Sequence, residues 1–201
     1  MRRPAIAALL ILLGAVAFAL RAAGLEDVYR PTGDVIFFYA DPYYQLRAGL
    51  YAMQSFPGFL VRDAYVNFPD GVGAVLPPLF HLILGGVGRL LGGDVAGFER
   101  GAAWLGPVVG ALSVLPAYAA ARVLGGPRTA LAAAGFVAVL PVSVLSGRVG
   151  NADYHAFLTA VGAVWLASIL VAVRPATQPR GVAVAYAGIT VARTVVLATW
   201  P

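Results

Sequence analysis

Apolar positions in this chain come in long uncharged blocks, not at alternating sites. The blocks are Pro4 to Leu20, Gly71 to Gly88, Gly101 to Ala121, Thr129 to Gly147 and Tyr154 to Val173; a last one, Gly181 to Trp200, is interrupted only by Arg193. A helix rises about 1.5 Å per residue, so about 20 residues cross a hydrocarbon core of about 30 Å. Backbone in lipid must satisfy its own hydrogen bonds, and the period-two alternation of a barrel strand is absent. The pattern predicts an all-α membrane protein with about five transmembrane helices, over residues 4–24, 101–122, 128–147, 154–173 and 181–200.

Two blocks need a decision. The first could be a secretory signal, but its 17 apolar residues exceed the usual core of about 7–15. The block at 71–88 contains Pro77-Pro78, His81 and Gly85-Gly86, which make a poor spanning helix. It reads as an interfacial or re-entrant helix within a long external loop, residues 25–100. The rival reading makes it a span and puts Asp153 in the cytoplasm.

Charge placement favours the loop. Arg2 and Arg3 precede the first block, Arg122 and Arg128 bracket one short turn, and Arg174 and Arg180 bracket another. If all three arginine pairs are cytoplasmic, the 25–100 segment and the Arg148–Asp153 connection lie outside. Eight of the nine acids fall between residues 21 and 100.

Composition agrees. The chain is 60% hydrophobic and 11% charged, against about 25% charged in a soluble domain. All 14 basic residues are arginine, so the net charge of +5 arises from residues that punctuate the apolar blocks. They read as topology signals and not as a nucleic-acid surface. The absence of cysteine excludes disulfides and thiolate metal sites.

Two polar clusters could carry chemistry. In the first, Asp41-Pro42-Tyr43-Tyr44-Gln45-Leu46-Arg47 opens a helix, where Asp41 is either an N-cap or a ligand with one oxygen free. The second is Ser146-Gly147-Arg148-Val149-Gly150-Asn151-Ala152-Asp153-Tyr154-His155. At a loop-to-helix junction Asp153 and His155 can turn to one ion, and Asp with His suits Mn²⁺ or Mg²⁺. The alternative is a helix cap beside an interfacial histidine. Acidic groups at one membrane face suit a transferase acting on a lipid diphosphate, whose leaving-group charge a metal would offset.

These two segments resemble the first and second acidic motifs of the oligosaccharyltransferase catalytic subunit family, the second in its archaeal form. Arg62-Asp-Ala-Tyr-Val-Asn-Phe-Pro-Asp-Gly71 with Leu76-Pro-Pro-Leu-Phe80 is similar to that family's first external loop, and Thr199-Trp200-Pro201 to the end of its fifth helix. The resemblance implies a C-type glycosyltransferase fold. It also implies transfer of an oligosaccharide from a polyprenyl (dolichyl) diphosphate to the Asn of Asn-X-Ser/Thr. By position, Asp41, Asp153 and His155 would bind Mn²⁺ or Mg²⁺, Asp41 would also contact the acceptor amide, and Arg148 would act electrostatically. The expected partners are a lipid-linked oligosaccharide, an acceptor protein and the bilayer; the expected setting is a multi-pass plasma membrane protein with its active face extracytoplasmic.

The family's later helices, its external-loop glutamate and its soluble domain have no counterpart here, so the resemblance implies an N-terminal fragment, inactive alone. One alternative is another polyprenyl-phosphate-sugar transferase, such as a protein O-mannosyltransferase, which usually carries an early Asp-Glu pair; here Glu26-Asp27 is reversed. Another is a non-catalytic membrane subunit or transporter with a polar residue facing the bundle interior, for which Arg193 is the candidate.

Overall fold

Proline marks where the helices of this chain begin. In the computed structural model, which describes residues 2–74, 76–174 and 178–200, helices α1 (Arg3–Ala22), α3 (Asp41–Ser55), α7 (Pro127–Val139), α8 (Pro141–Ser146) and α10 (Pro179–Thr199) each carry Pro in their first turn. Its missing N–H costs nothing there, because the first turn's amides have no intrahelical acceptor. The remaining helices are α2 (Leu25–Val28), α4 (Leu79–Leu90), α5 (Val95–Leu112), α6 (Val114–Leu124) and α9 (His155–Ala172). A two-residue hairpin pair, β1 (Arg62–Asp63) with β2 (Val72–Gly73), closes the loop between α3 and α4.

Among the described residues, four helical stretches are long and apolar enough to cross a membrane: α1, the bent pair α5–α6, α9 and α10. The bend falls at Ser113, where Pro116 has no N–H to offer the Leu112 carbonyl and Ser113 Oγ donates to Gly110 O at 2.6 Å. The stretch starts at Val95, not near 101, because Asp94 caps it and accepts from Gly97 N at 2.7 Å. The block at 71–88 contributes α4, whose 12 residues reach about 18 Å, short of a span.

The stretch 128–147 departs from the expectation of one spanning helix. It breaks at Leu140–Pro141, leaving α7 with 13 residues and α8 with six. Pro141 cannot donate to the Val137 carbonyl, and Leu140 turns to extended backbone at ψ 123°.

Helix α1 packs between α5 and α7, α6 between α7 and α9, and α10 against α9, while α3, α4 and α5 stack in sequence. Two cores result. One lies under the loops and is built of large side chains, among them Phe80, Leu84, Phe98, Val149 and Tyr154. The other lies within the bundle and is built chiefly of small ones: Ala17, Val114, Ala134 and Ala138. The C-terminal ends of α1 and α10, helix α8 and the N-terminal end of α9 gather at one end, joined by Arg21–Ser143, Arg21–Val149 and Tyr154–Trp200 contacts.

Candidate active site

The second acidic segment is held by its backbone. Val149 N donates to Arg21 O at 2.8 Å, Gly150 N to Ala103 O at 3.1 Å, and Gly150 O accepts from Phe38 N at 3.0 Å. The turn needs glycine at 150, where φ is +75° and a Cβ would stand 2.7 Å from Val28 Cγ2. Asn151 completes the turn by donating Nδ2 to the carbonyls of Leu145 and Ser146.

Asp153 then divides its two oxygens. Oδ1 accepts from Tyr154 N at 2.7 Å, capping the approach to α9, and Oδ2 pairs with His155 Nδ1 at 2.6 Å. An imidazole that donates from Nδ1 to a carboxylate keeps its Nε2 lone pair outward, the arrangement common behind metal-ligating histidines. The Asp153 side chain is 10% exposed and that of His155 57%. The carboxylate is thus divided between a backbone amide and an imidazole, while the N-cap position of α9 itself falls on Tyr154.

Asp41 opens α3 without capping it: the N-cap position falls on Ala40, and the Asp41 carboxylate is exposed. A cavity of about 260 Å³ is lined by Asp41, Asp153 and His155 together with Tyr39, Ser146 and Asn151. Tyr39 adopts φ +69° there, an unusual conformation for a bulky side chain. A second cavity, about 400 Å³, lies against Asp41, Tyr44, Gln45, Tyr154 and Trp200. Asp41 therefore belongs to both.

The structure thus brings together three of the four residues singled out from the sequence. Among the described residues, however, no three His, Asp or Glu side chains are drawn close enough to hold an ion as they stand. Arg148 lies apart, its guanidinium 3.5 Å above the Phe38 ring, and it lines neither cavity. Glu26 and Asp27 lie exposed on α2. Arg193 faces outward from α10, so the interior polar group that a transporter would need is not Arg193. Pro201 lies outside the described residues, but the Trp200 ring lies tilted against Tyr154 at 5.1 Å between ring centres.

Sequence reasoning missed Gln45, which follows Asp41 by four residues and so shares its helix face. Gln45 is 1% exposed and pairs through Oε1 with His81 Nε2 at 2.7 Å. Burial holds the His81 pKa down, to about 4, so the ring is neutral at physiological pH.

No protein-family model matches the chain. It is 35% identical over 121 residues to dolichyl-phosphooligosaccharide-protein glycotransferase 1 of Archaeoglobus fulgidus, covering 59% of this chain and 20% of that protein. To glycotransferase 2 of the same organism it is 30% identical over 151 residues, covering 73% and 24%. The chain therefore spans about a quarter or less of the length of the curated relatives it matches.

Solved structures agree in fold. The archaeal oligosaccharyltransferase AglB from Archaeoglobus fulgidus, in complex with an inhibitory peptide and a dolichol-phosphate, superimposes with a TM-score of 0.88 at 18% identity, over 97% of this chain and 23% of that one. A crystal structure of the A. fulgidus oligosaccharyltransferase with Zn and sulfate gives 0.83 at 20% identity, over 94% and 25%. The form tethered to an acceptor peptide containing the NVT sequon gives 0.85 at 19%, over 97% and 24%. In sequence and in fold, then, this multi-pass membrane chain is a relative of the archaeal oligosaccharyltransferases.

Proposed function

We propose that this chain carries part of the active site of an oligosaccharyltransferase, which moves an oligosaccharide from a dolichyl diphosphate carrier to the Asn of Asn-X-Ser/Thr. The observation that carries the reading is the shared position of Asp41, between a cavity holding Asp153 and His155 and one holding Tyr44, Gln45 and Trp200. A site that transfers a glycan from a lipid diphosphate to a peptide amide, releasing the lipid diphosphate, needs two approaches to one carboxylate.

The donor set suits a hard or borderline divalent cation, Mn²⁺ or Mg²⁺: two carboxylates and an imidazole with a free Nε2. Asp41, Asp153 and His155, which line one cavity, would hold it. When bound, such an ion offsets the negative charge of the leaving diphosphate. On the other side Asp41 would accept a hydrogen bond from the acceptor carboxamide N–H and fix its orientation. Tyr44, Tyr154 and Trp200 wall that cavity with aromatic rings. Arg148 would act at longer range, as a positive charge beside the entrance. The arginines at the opposite helix ends would keep the site on the extracytoplasmic face of the plasma membrane.

The test is a transfer assay with a lipid-linked oligosaccharide and an Asn-X-Thr peptide, with the chain in a polypeptide of the relatives' full length. Asp41→Ala and Asp153→Ala are each expected to lower kcat on the order of 100-fold or more. Chelation followed by Mn²⁺ addition should abolish and restore transfer. Undiminished transfer by both variants would remove these residues from the site.

A further inference from the structure

Arg21 is the largest fully buried side chain among the described residues, and no carboxylate is among its partners. A lone cation in the membrane region is costly unless its donors are satisfied. Here both terminal nitrogens meet acceptors, mostly backbone carbonyls, while Nε is buried without a partner among the described residues. Nη1 donates to Ala17 O at 3.0 Å and Ala138 O at 3.1 Å; Nη2 donates to Val137 O at 3.3 Å, Ser143 O at 3.1 Å and Ser143 Oγ at 2.7 Å.

Those acceptors are not accidental. Val137 and Ala138 are among the last residues of α7, where carbonyls lose their helical donors, and the helix dipole there favours a cation. Pro141 stands four residues after Val137 and has no N–H to give it. The helix break thus creates the acceptors, and Arg21 fills them. The packing is made for this side chain: a Cβ on Gly110 would collide with the guanidinium, and Nε lies against Gly110 and Gly147.

What Arg21 ties together surrounds the candidate site. Its guanidinium fixes α8, which supplies Val142, Leu145 and Ser146 to the Asp41–Asp153–His155 cavity. Its own carbonyl accepts from Val149 N, the first anchor of the turn leading to Asp153. We propose that Arg21 is a positioning residue: it holds the α7–α8 break and the 147–151 turn so that Asp153 and His155 face Asp41. The metal part of this inference rests on the oligosaccharyltransferase reading; the positional part does not.

Two readouts on the intact chain in detergent separate them. The first is amide hydrogen exchange. In Arg21→Met, exchange over residues 143–153 is expected to rise at least about tenfold above the rest of the bundle, with Arg21→Lys restoring part of the protection. Ala134→Gly, a bundle-core change away from the turn, should leave that segment's relative protection unaltered. The second is Mn²⁺ binding followed by electron paramagnetic resonance, where Arg21→Met should weaken affinity about 10–100-fold, the usual cost of losing an outer-shell support. Should Arg21→Met fail to fold, Ser143→Ala removes one acceptor and should shift both readouts in the same direction by less.

Unchanged protection of 143–153 in a folded Arg21→Met or Ser143→Ala protein would overturn the proposal whatever the metal does. A wild-type chain that binds no Mn²⁺, with Asp153→Asn equally silent, would overturn the metal reading alone; the exchange result then decides Arg21 by itself.

Discussion

The cap formed by the loops, α3 and α4 is held in a different way from the bundle beneath it. The cap buries Phe37, Phe80, Phe98, Leu46 and Leu84 in one cluster, whereas the bundle core is three alanines and a valine. Outside, Leu12, Phe136, Leu166, Val184 and Leu197 are exposed on the bundle, and Val61, Phe68 and Leu90 are exposed on the cap, so the contrast lies in the two cores. The solvent explains both. Where water surrounds the protein, large apolar side chains gain free energy by turning inward. Where lipid surrounds it, burying them gains little, so small residues go inside and let backbones approach. Among the described residues the buried polar side chains of the cap include Gln45, Asp63 and His81, and those of the bundle Arg21, Ser113 and Thr199, with Arg21 the one charged side chain among the latter.

The contrast breaks most visibly if a cap aromatic is removed. Phe98, 2% exposed, becomes a cavity in Phe98→Ala, at an expected cost of about 3–5 kcal/mol. Thermal unfolding in micelles should show the cap melting before the helices.

Acid should separate the regions next. His81 has its pKa lowered to about 4 by burial, so its unfolded state takes up a proton that the folded state refuses. Stability is therefore full above about pH 6.5 and falls as the pH drops toward 4. Asp63 works lower: the Arg47 hydrogen bonds hold its carboxyl below the usual range, and its contribution, present above about pH 4, is lost as the pH falls through the depressed value. Limited proteolysis of the cap between pH 7 and 4 should show progressive loss, and His81→Asn should flatten the upper part of that slope.

How much of this division was legible in the sequence depends on the kind of residue. The apolar blocks gave the helices because length and lack of charge are read directly, and α4 was excluded as a span by its prolines and glycines. The break at Leu140–Pro141 was not read, although Pro141 is visible, because uncharged length outweighed a single proline. Arg21 falls inside the first predicted span, 4–24, and nothing in its neighbourhood marks it out; apart from Ala17 its partners lie more than a hundred residues away, and only folding brings them near. The meeting of Asp41 with Asp153 and His155 came from resemblance, since no spacing along the chain encodes it. Arg148 was grouped with them by its neighbours in sequence, but its side chain turns to Phe38 instead.

Smaller effects sharpen the comparison. Ala134 is fully buried between helices, so Ala134→Val overpacks the bundle at about 1–3 kcal/mol, measured by the midpoint of unfolding in micelles. Leu166 is 51% exposed on α9, where lipid replaces what the side chain loses. Leu166→Ala should change stability by less than about 0.5 kcal/mol, and a loss comparable to Phe98→Ala would mean that this face is covered by protein.

The wall that Asp41 forms between two cavities has a consequence for kinetics. In the reaction proposed above, a change at residue 41 would perturb donor and acceptor handling together, so the apparent KM for both substrates and the turnover rate should move at once. Such a variant cannot apportion its effect. Only residues private to one chamber, Ser146 on one side and Gln45 on the other, can report the two half-sites separately.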